Sequence, residues 1–310
     1  MHPAAARWIG ALIRMTSSHP AMTRILNVVE GLQDRPFRTN ALLLGEPGTG
    51  KEGLARALHH LMAPGTPLVR VDLAGYGDEE ALAVLSGGGK GAHASVAEIS
   101  DGAMLLIEEA AGLSLRVQTA LLRLLKTRRA EAGPPPEPLA GGSGNPPRIH
   151  SLKTGATEAA ETGPHKEPAK RFQVNAIAMS DRDLTAEVAA GRFRHDLYFA
   201  LARIVLDLPP LRERIQDLAP AAVWIGNRVL RNAGRDYELM TADEFARAST
   251  DDRAMAIELR ADALEALQRH TWPGNFRELE AVLERALMLY RKGQSIGAAE
   301  IEAALALPPS

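Results

Sequence analysis

Residues 41–58, Ala-Leu-Leu-Leu-Gly-Glu-Pro-Gly-Thr-Gly-Lys-Glu-Gly-Leu-Ala-Arg-Ala-Leu, leave a folding chain few options. Ala41 to Leu44 is a short apolar run of the kind a buried strand needs. Gly45, Gly48 and Gly50 let the next stretch bend without a Cβ penalty. Lys51 opens a helical pattern, with Leu54, Ala57 and Leu58 on one face. Strand, glycine loop and helix in this order make a phosphate-cradling loop. Its backbone N–H groups converge on an anion and the helix N-terminus adds its dipole. The pattern GxxxxGK is complete from Gly45 to Lys51, and Lys51 supplies a point charge for the terminal phosphates. Position 52 is Glu, where the general pattern has a hydroxyl for magnesium. A glycine-rich turn before an ordinary helix would share this composition. The strand ahead and the helix behind favour the nucleotide reading.

A chain of 310 residues is long enough for two domains, and 45% hydrophobic residues suffice for a sizeable core. Aromatic residues make up 4%, while alanine and leucine abound, which favours a helix-rich α/β chain. The net charge of -2 gives no bulk attraction to nucleic acid or membrane, and Lys and Arg are scattered rather than striped. No direct DNA binding is expected. With no cysteine, disulfides, thiolate metal sites and a cysteine nucleophile are excluded. No apolar run approaches the ~18 residues of a membrane span. A cytoplasmic location is expected. His59 and His60 are adjacent and cannot share a helix face as metal ligands, and neither HExxH nor GxSxG occurs.

Along the chain, residues 1–16 read as an N-terminal amphipathic helix. A second helix carries Met22, Ile25, Leu26, Val29 and Leu32. A strand is expected over Pro67 to Leu73, with Asp72 near its end, and a helix over Asp78 to Leu85. Gly87 to Gly91 reads as a loop tip. Ala103 to Ile107 is a continuous apolar run that ends in Glu108-Glu109. Such a strand delivers two carboxylates to the edge where open α/β sheets bind ligands. One carboxylate could hold magnesium and the other polarise a water. A strand ending in solvated charges fits the same residues; its place after a phosphate loop favours the catalytic reading. A helix follows through Leu125. From Ala130 to Arg171 prolines and glycines crowd out large apolar residues, so a disordered insertion is expected. Phe172 to Met179 is the next strand, with Ser180 and Asp181 at its end. Asp183 to Ala190 is a short helix, and Ile204 to Leu208 the last strand. From Arg212 the pattern is helical throughout, with helices over Leu218–Arg231, Ala261–His270 and Arg277–Arg291.

These residues add up to a resemblance. Ser18-His19-Pro20-Ala21-Met22, Gly45 to Glu52, Val117 to Leu125, Phe193-Arg194-His195-Asp196-Leu197-Tyr198, Leu208 to Arg214 and Trp272 to Leu279 resemble the central ATPase domain of bacterial enhancer-binding proteins. These are the sigma-54-dependent transcription activators of the AAA+ superfamily. The resemblance implies a three-layer α/β/α AAA+ domain with a parallel sheet over residues 17–211, interrupted by the insertion at 130–171. A small all-α lid would follow over 212–310. It further implies ATP and Mg2+ as cofactors and a ring, usually a hexamer, with sites between subunits. Gly45, Glu46, Pro47, Gly48, Thr49, Gly50, Lys51 and Glu52 would wrap the phosphates. Glu52 is usual in that family. Glu108 would hold the metal and Glu109 activate water. Arg194 would be a finger acting across the subunit interface, Ser180 a sensor on its strand, and Arg277 the lid's sensor arginine.

The departures matter as much. The family's Walker B strand ends Asp-Glu, not Glu108-Glu109, and a ~1 Å misplacement can cost on the order of a hundredfold in rate. Asp72 replaces an asparagine that switches the catalytic glutamate, so its charge is expected to repel Glu109 and raise a carboxylate pKa. Ala200 replaces a second interface arginine. The sigma-54-contacting loop should fall near Lys90 to Ser95, which lacks its aromatic residue and threonine. Neither a receiver domain nor a helix-turn-helix is recognised in the 310 residues. The preferred reading is a diverged, slow ATPase that remodels or regulates a protein partner in transcription, with RNA polymerase or a sigma factor a candidate. A true sigma-54 activator without its own DNA-binding domain, and a non-hydrolysing module that nucleotide locks, remain open alternatives.

Overall fold

The computed structural model describes residues 19–34, 38–86, 103–126, 150–151, 174–288 and 295–307. The expected N-terminal helix, the glycine tip at 87–91, the loop near Lys90 to Ser95 and most of the 130–171 insertion lie outside the described residues. The chain divides into two compact units. The first comprises Asn27–Leu44 and Lys51–Asp207; the second joins Gly45–Gly50 and residues 19–26 to everything from Leu208 on. The glycine loop thus groups with the lid segment rather than with the strand and helix that flank it in sequence.

The first unit is built on a six-stranded sheet. Its strands are β1 (Ala41–Leu44), β2 (Leu68–Asp72), β3 (Met104–Glu108), β4 (His150–Ser151), β5 (Asn175–Ser180) and β6 (Ile204–Asp207), in the order β4-β2-β3-β5-β1-β6. All neighbours are parallel except β2 and β4. Helices α1 (Pro20–Asp34, whose first turns belong to the second unit), α2 (Lys51–Met62), α3 (Asp78–Ser86), α4 (Leu115–Lys126), α5 (Leu184–Ala189) and α6 (His195–Leu201) alternate with them. Parallel strands are covered on both faces, so they read as unbroken apolar runs. The four residues Met104 to Ile107 are all buried. Leu105 and Ile107 share one core cluster with Leu42, Val69, Val117, Leu121, Ala178 and Leu197. Asn40 ties the strands near their start: its Oδ1 accepts from Ala176 N at 2.8 Å and its Nδ2 donates to Ala200 O at 2.8 Å.

Strand β4 corrects one expectation. His150 and Ser151 lie within the stretch read as disordered, yet they pair antiparallel with Arg70 and Val69. The outer edge of β2 presents unpaired backbone groups, and two residues suffice to satisfy some of them.

The second unit holds α7 (Leu218–Asn232), β7 (Glu238–Thr241), α8 (Ala242–Arg247), α9 (Thr250–Ala254), β8 (Ala256–Leu259), α10 (Ala261–Arg269), α11 (Asn275–Met288) and α12 (Ala298–Ala306). It is a helical lid with one addition to the expected all-α pattern: β7 and β8 form a two-stranded parallel sheet. Leu239, Ile257 and Leu259 from these strands are buried with Trp272, Leu279 and Leu283. Four-residue strands carry too little periodicity to stand out among helical segments. Helix α11 starts two residues earlier than expected, at Asn275, which is itself in the left-handed region (φ 53°).

Candidate nucleotide site

In the second unit the glycine loop is clamped from the lid side. Gly45 (φ 140°), Gly48 (φ 80°) and Gly50 (φ 101°) all take backbone angles that side chains resist. Space closes in at two of them. A Cβ on Gly45 would meet Leu208 O at 2.6 Å, and one on Gly48 would overlap Gly274 O. The loop also closes on itself, with Thr49 N and Oγ1 donating to Glu46 O at 3.3 and 2.8 Å.

The lid supplies three attachments to the backbone of this loop. Asn275 is wholly buried and left-handed (φ 53°), a conformation asparagine tolerates better than most residues. Its Oδ1 accepts from Leu211 N at 2.7 Å, while its Nδ2 donates to Glu46 Oε2 at 3.2 Å and Pro47 O at 3.0 Å. Phe276 N donates to Gly48 O at 3.0 Å. Arg214, buried against the ring of Phe276 at 4.7 Å, donates to Thr49 O at 2.9 Å and to the sulfur of Met22 at 3.1 Å. Burial pushes its pKa down to about 10, against the pull of Asp217, so it stays charged at neutral pH. Arg212 pairs with Glu46 through two hydrogen bonds, 2.8 and 2.5 Å long. Arg277 stands on the first turn of α11, and its Cβ would lie 3.3 Å from a Cβ on Gly48.

In the first unit the parallel register brings the carboxyl ends of β2, β3 and β5 side by side, with Asp72 opposite Glu108 and Ile107 opposite Ala178. Glu109 leaves β3 in the left-handed region (φ 44°) and heads the 3-10 turn Ala110–Gly112. A bulky side chain holds that conformation only when its surroundings over-determine it. Burial, a hydrogen bond with Asp181 and the Asp181 charge push the Glu109 pKa up to about 7, with Lys51 acting in the opposite sense. Lys51 itself is buried at the start of α2. Lys51, Glu109 and Asp181 therefore form one interacting cluster. A carboxyl group held near neutrality can take up a proton and release it again.

The repulsion expected between Asp72 and Glu109 is not what raises Glu109; burial does so first and Asp181 second, because β5 is the strand beside β3 on that edge. Asp72 acts instead on Arg70. Both oxygens of Glu108, the residue expected to hold magnesium, accept from Arg70, through Nε and, at 2.9 Å, through Nη2. Arg70 Nη1 also donates to Glu52 Oε1 at 3.1 Å, and Arg56 donates to the same oxygen at 2.7 Å. Ser180 is buried and its hydroxyl closes its own turn, donating to Arg182 O at 2.8 Å. Arg194 forms a two-pronged pair with Asp196 (3.0 and 2.9 Å) and donates to Thr119 Oγ1 at 3.2 Å. Its backbone N–H donates to the buried Gln118 at 2.7 Å, and Gln118 donates in turn to Leu113 O and Arg192 O.

Sequence reasoning singles out Glu109, Lys51 and the glycine loop. It passes over Asp181 as a partner of Glu109, and over Arg70, Gln118, Arg214 and Asn275. Asp181 is visible as a charge one residue past a strand end. Gln118 and Asn275 carry no signal beyond their place in a motif.

Residues 15–132 match the family model described as the Sigma-54 interaction domain, and residues 231–308 match the AAA+ ATPase lid domain. The Nif-specific regulatory protein of Azospirillum brasilense is 33% identical over 267 residues, 83% of this chain and 34% of that protein. The response regulator protein FleR of Pseudomonas aeruginosa is 32% identical over 264 residues, 82% of this chain and 45% of FleR. The transcriptional regulatory protein ZraR of Salmonella typhimurium is 30% identical over 304 residues, 95% of this chain and 57% of ZraR. The chain thus spans between a third and somewhat over half the length of these relatives. Crystal structures of NtrX from Brucella abortus in complex with ADP and with ATP share the fold, each with a TM-score of 0.66 at 22% identity. They cover 94% of this chain and 56% and 55% of theirs. The chain belongs to the sigma-54 activator family of AAA+ proteins.

Proposed function

We propose that this protein binds ATP, hydrolyses it slowly, and uses the cycle on a protein partner in transcription regulation. The observation that carries the reading is the cluster of Lys51, Glu109 and Asp181 at the sheet edge. Gly45 to Glu52 hold the phosphates, with the loop shaped by its glycines and Lys51 supplying charge. Glu109 orients a water and takes its proton. Its pKa near 7 rather than 4.5 lets it accept a proton at neutral pH and release it again. Slow turnover is expected instead because both oxygens of Glu108 are taken by Arg70. Arg277, tied to the loop through its neighbours Asn275 and Phe276, senses nucleotide from the lid, and Ser180 marks the sensor strand. Arg194 serves a neighbouring subunit's nucleotide in a ring, once released from its pairing with Asp196.

Magnesium, when bound with ATP, neutralises phosphate charge. It usually keeps several waters and takes one or two carboxylates. Glu108 has the right donor atoms, but its charge is already matched by Arg70, so the side chains as they stand do not fit the ion.

The partner class follows from the relatives, which are named as Nif-specific, response and transcriptional regulators. RNA polymerase carrying sigma-54 is the first partner to test, although Lys90 to Ser95 lack the aromatic residue and threonine of the contacting loop. Steady-state ATP turnover of the wild type beside Lys51→Ala and Glu109→Gln tests the enzyme reading. Lys51→Ala should lose nucleotide binding; Glu109→Gln should keep binding and lose turnover. Equal residual turnover in all three would refute hydrolysis by this site. Sigma-54-dependent open-complex formation, assayed with and without ATP, separates an activator from a regulator of another partner.

A further inference from the structure

Two positions in the first unit are the ones a phosphate-loop protein turns toward its metal: the residue after the loop lysine, and the carboxylate that ends β3. Here both are glutamates, Glu52 and Glu108, and one guanidinium binds both. The parallel register explains the convergence. Asp72 lies opposite Glu108, and side chains two apart on a strand share a face, so Arg70, Asp72 and Glu108 point the same way. Helix α2 brings Glu52 to the same face. Three carboxylates thus surround Arg70, each of them strengthening its hold on its proton. Glu108 meets the guanidinium with both carboxylate oxygens. Such planar, two-pronged contacts are a geometry that a spherical cation cannot share at the same time.

We propose that Arg70 is a built-in counter-cation, standing where the metal's charge would be needed, and that it uncouples nucleotide binding from Mg2+. This rests on the nucleotide reading above. In the wild type, the carboxylates that would repel a metal-free polyphosphate and attract the ion are already neutralised. Removal of the guanidinium strips Glu108 of its counter-charge and leaves Glu52 with Arg56 alone. Metal-free nucleotide is then repelled, the magnesium complex is favoured, and the two affinities separate. Arg70 is a positioning residue, acting through Glu108 and Glu52.

The test is calorimetric titration of ADP into the full chain, in excess magnesium and again in EDTA. The wild type should bind with dissociation constants within about threefold of each other. In Arg70→Met, which keeps most of the aliphatic stem, the ratio should rise about tenfold, a coupling of ordinary size between two ligands. Arg70→Lys keeps the charge but cannot span both oxygens, so its ratio should fall between the two; this variant also serves if Arg70→Met does not fold. An unchanged ratio in the variants, with ADP still bound, would overturn the role of Arg70 alone. So would a wild type that already binds ADP far more tightly with magnesium. Absence of ADP binding by the wild type in both buffers would instead sink the nucleotide reading, and this inference with it.

Discussion

Replacing Asn275 with Asp changes one side-chain group and almost no volume, and its cost can be worked out from its contacts. The Oδ1 acceptor for Leu211 N survives. The amide that donates to Pro47 O and Glu46 Oε2 becomes a second acceptor facing two acceptors. Two hydrogen bonds are lost at ~1 kcal/mol each, and the Pro47 carbonyl loses a donor at ~1–3 kcal/mol. A buried carboxylate beside Glu46 adds to this, offset in part by Arg212. The sum is ~3–5 kcal/mol, or on the order of 6–20 °C in melting temperature for a domain of this size. Both asparagine and aspartate accept the left-handed backbone, so conformational strain does not enter the comparison. Thermal unfolding followed by circular dichroism, with ADP affinity measured beside it, reads both consequences: a lower melting temperature and weaker nucleotide binding, because the loop loses its lid-side attachment. A variant that melts within ~2 °C of the wild type and binds ADP equally well would refute the claim that this asparagine shapes the loop.

Glu109→Gln should show a pH-dependent gain in stability. The folded-state pKa of about 7 exceeds the ordinary 4.5, so the stability contributed by protonated Glu109 is present below pH ~4.5 and is lost as pH rises through 7. Glutamine mimics the protonated form, so the variant should match the wild type near pH 4.5 and exceed it above pH 7. Solvent screening of this half-exposed group limits the gain to ~1 kcal/mol; equal melting differences at both pH values would contradict the raised pKa. Gly48→Ala combines a strained φ of 80° with a clash against Gly274 O, so it should lower the melting temperature and ADP affinity together; a silent substitution in both assays would contradict the close approach. Arg194→Ala should leave monomer stability nearly unchanged, since its pair with Asp196 is exposed, yet abolish turnover in the assembled state. Turnover that survives, with oligomer size unchanged by light scattering, would remove Arg194 from the mechanism.

Much of the first unit is legible in the amino-acid sequence, and the reason is physical. Strands buried on both faces write unbroken apolar runs such as Met104 to Ile107, and a phosphate-type loop needs its glycines at set places. The two short lid strands are not legible, because Glu238–Thr241 and Ala256–Leu259 offer only four residues each. The pairing of His150 and Ser151 is hidden for another reason: an edge strand of two residues is recruited by its neighbour, not by its own propensity. At the site, charges are visible in the sequence but their partners are not. Glu109 and Asp181 are 72 positions apart in sequence and meet only because β5 lies beside β3. Likewise, Arg70 reads as an ordinary residue of an expected strand; only the register sets it beside Glu108.

Every role proposed above depends on the loop ahead of α2 and the lysine that opens this helix binding a polyphosphate. The most direct measurement is the affinity of the purified chain for ADP, in parallel with Lys51→Ala. Saturable one-to-one binding by the wild type is expected, with a loss of at least about a hundredfold in the variant, the scale of a buried charge-assisted contact. No saturable binding by the wild type, or equal binding by both proteins, would contradict it.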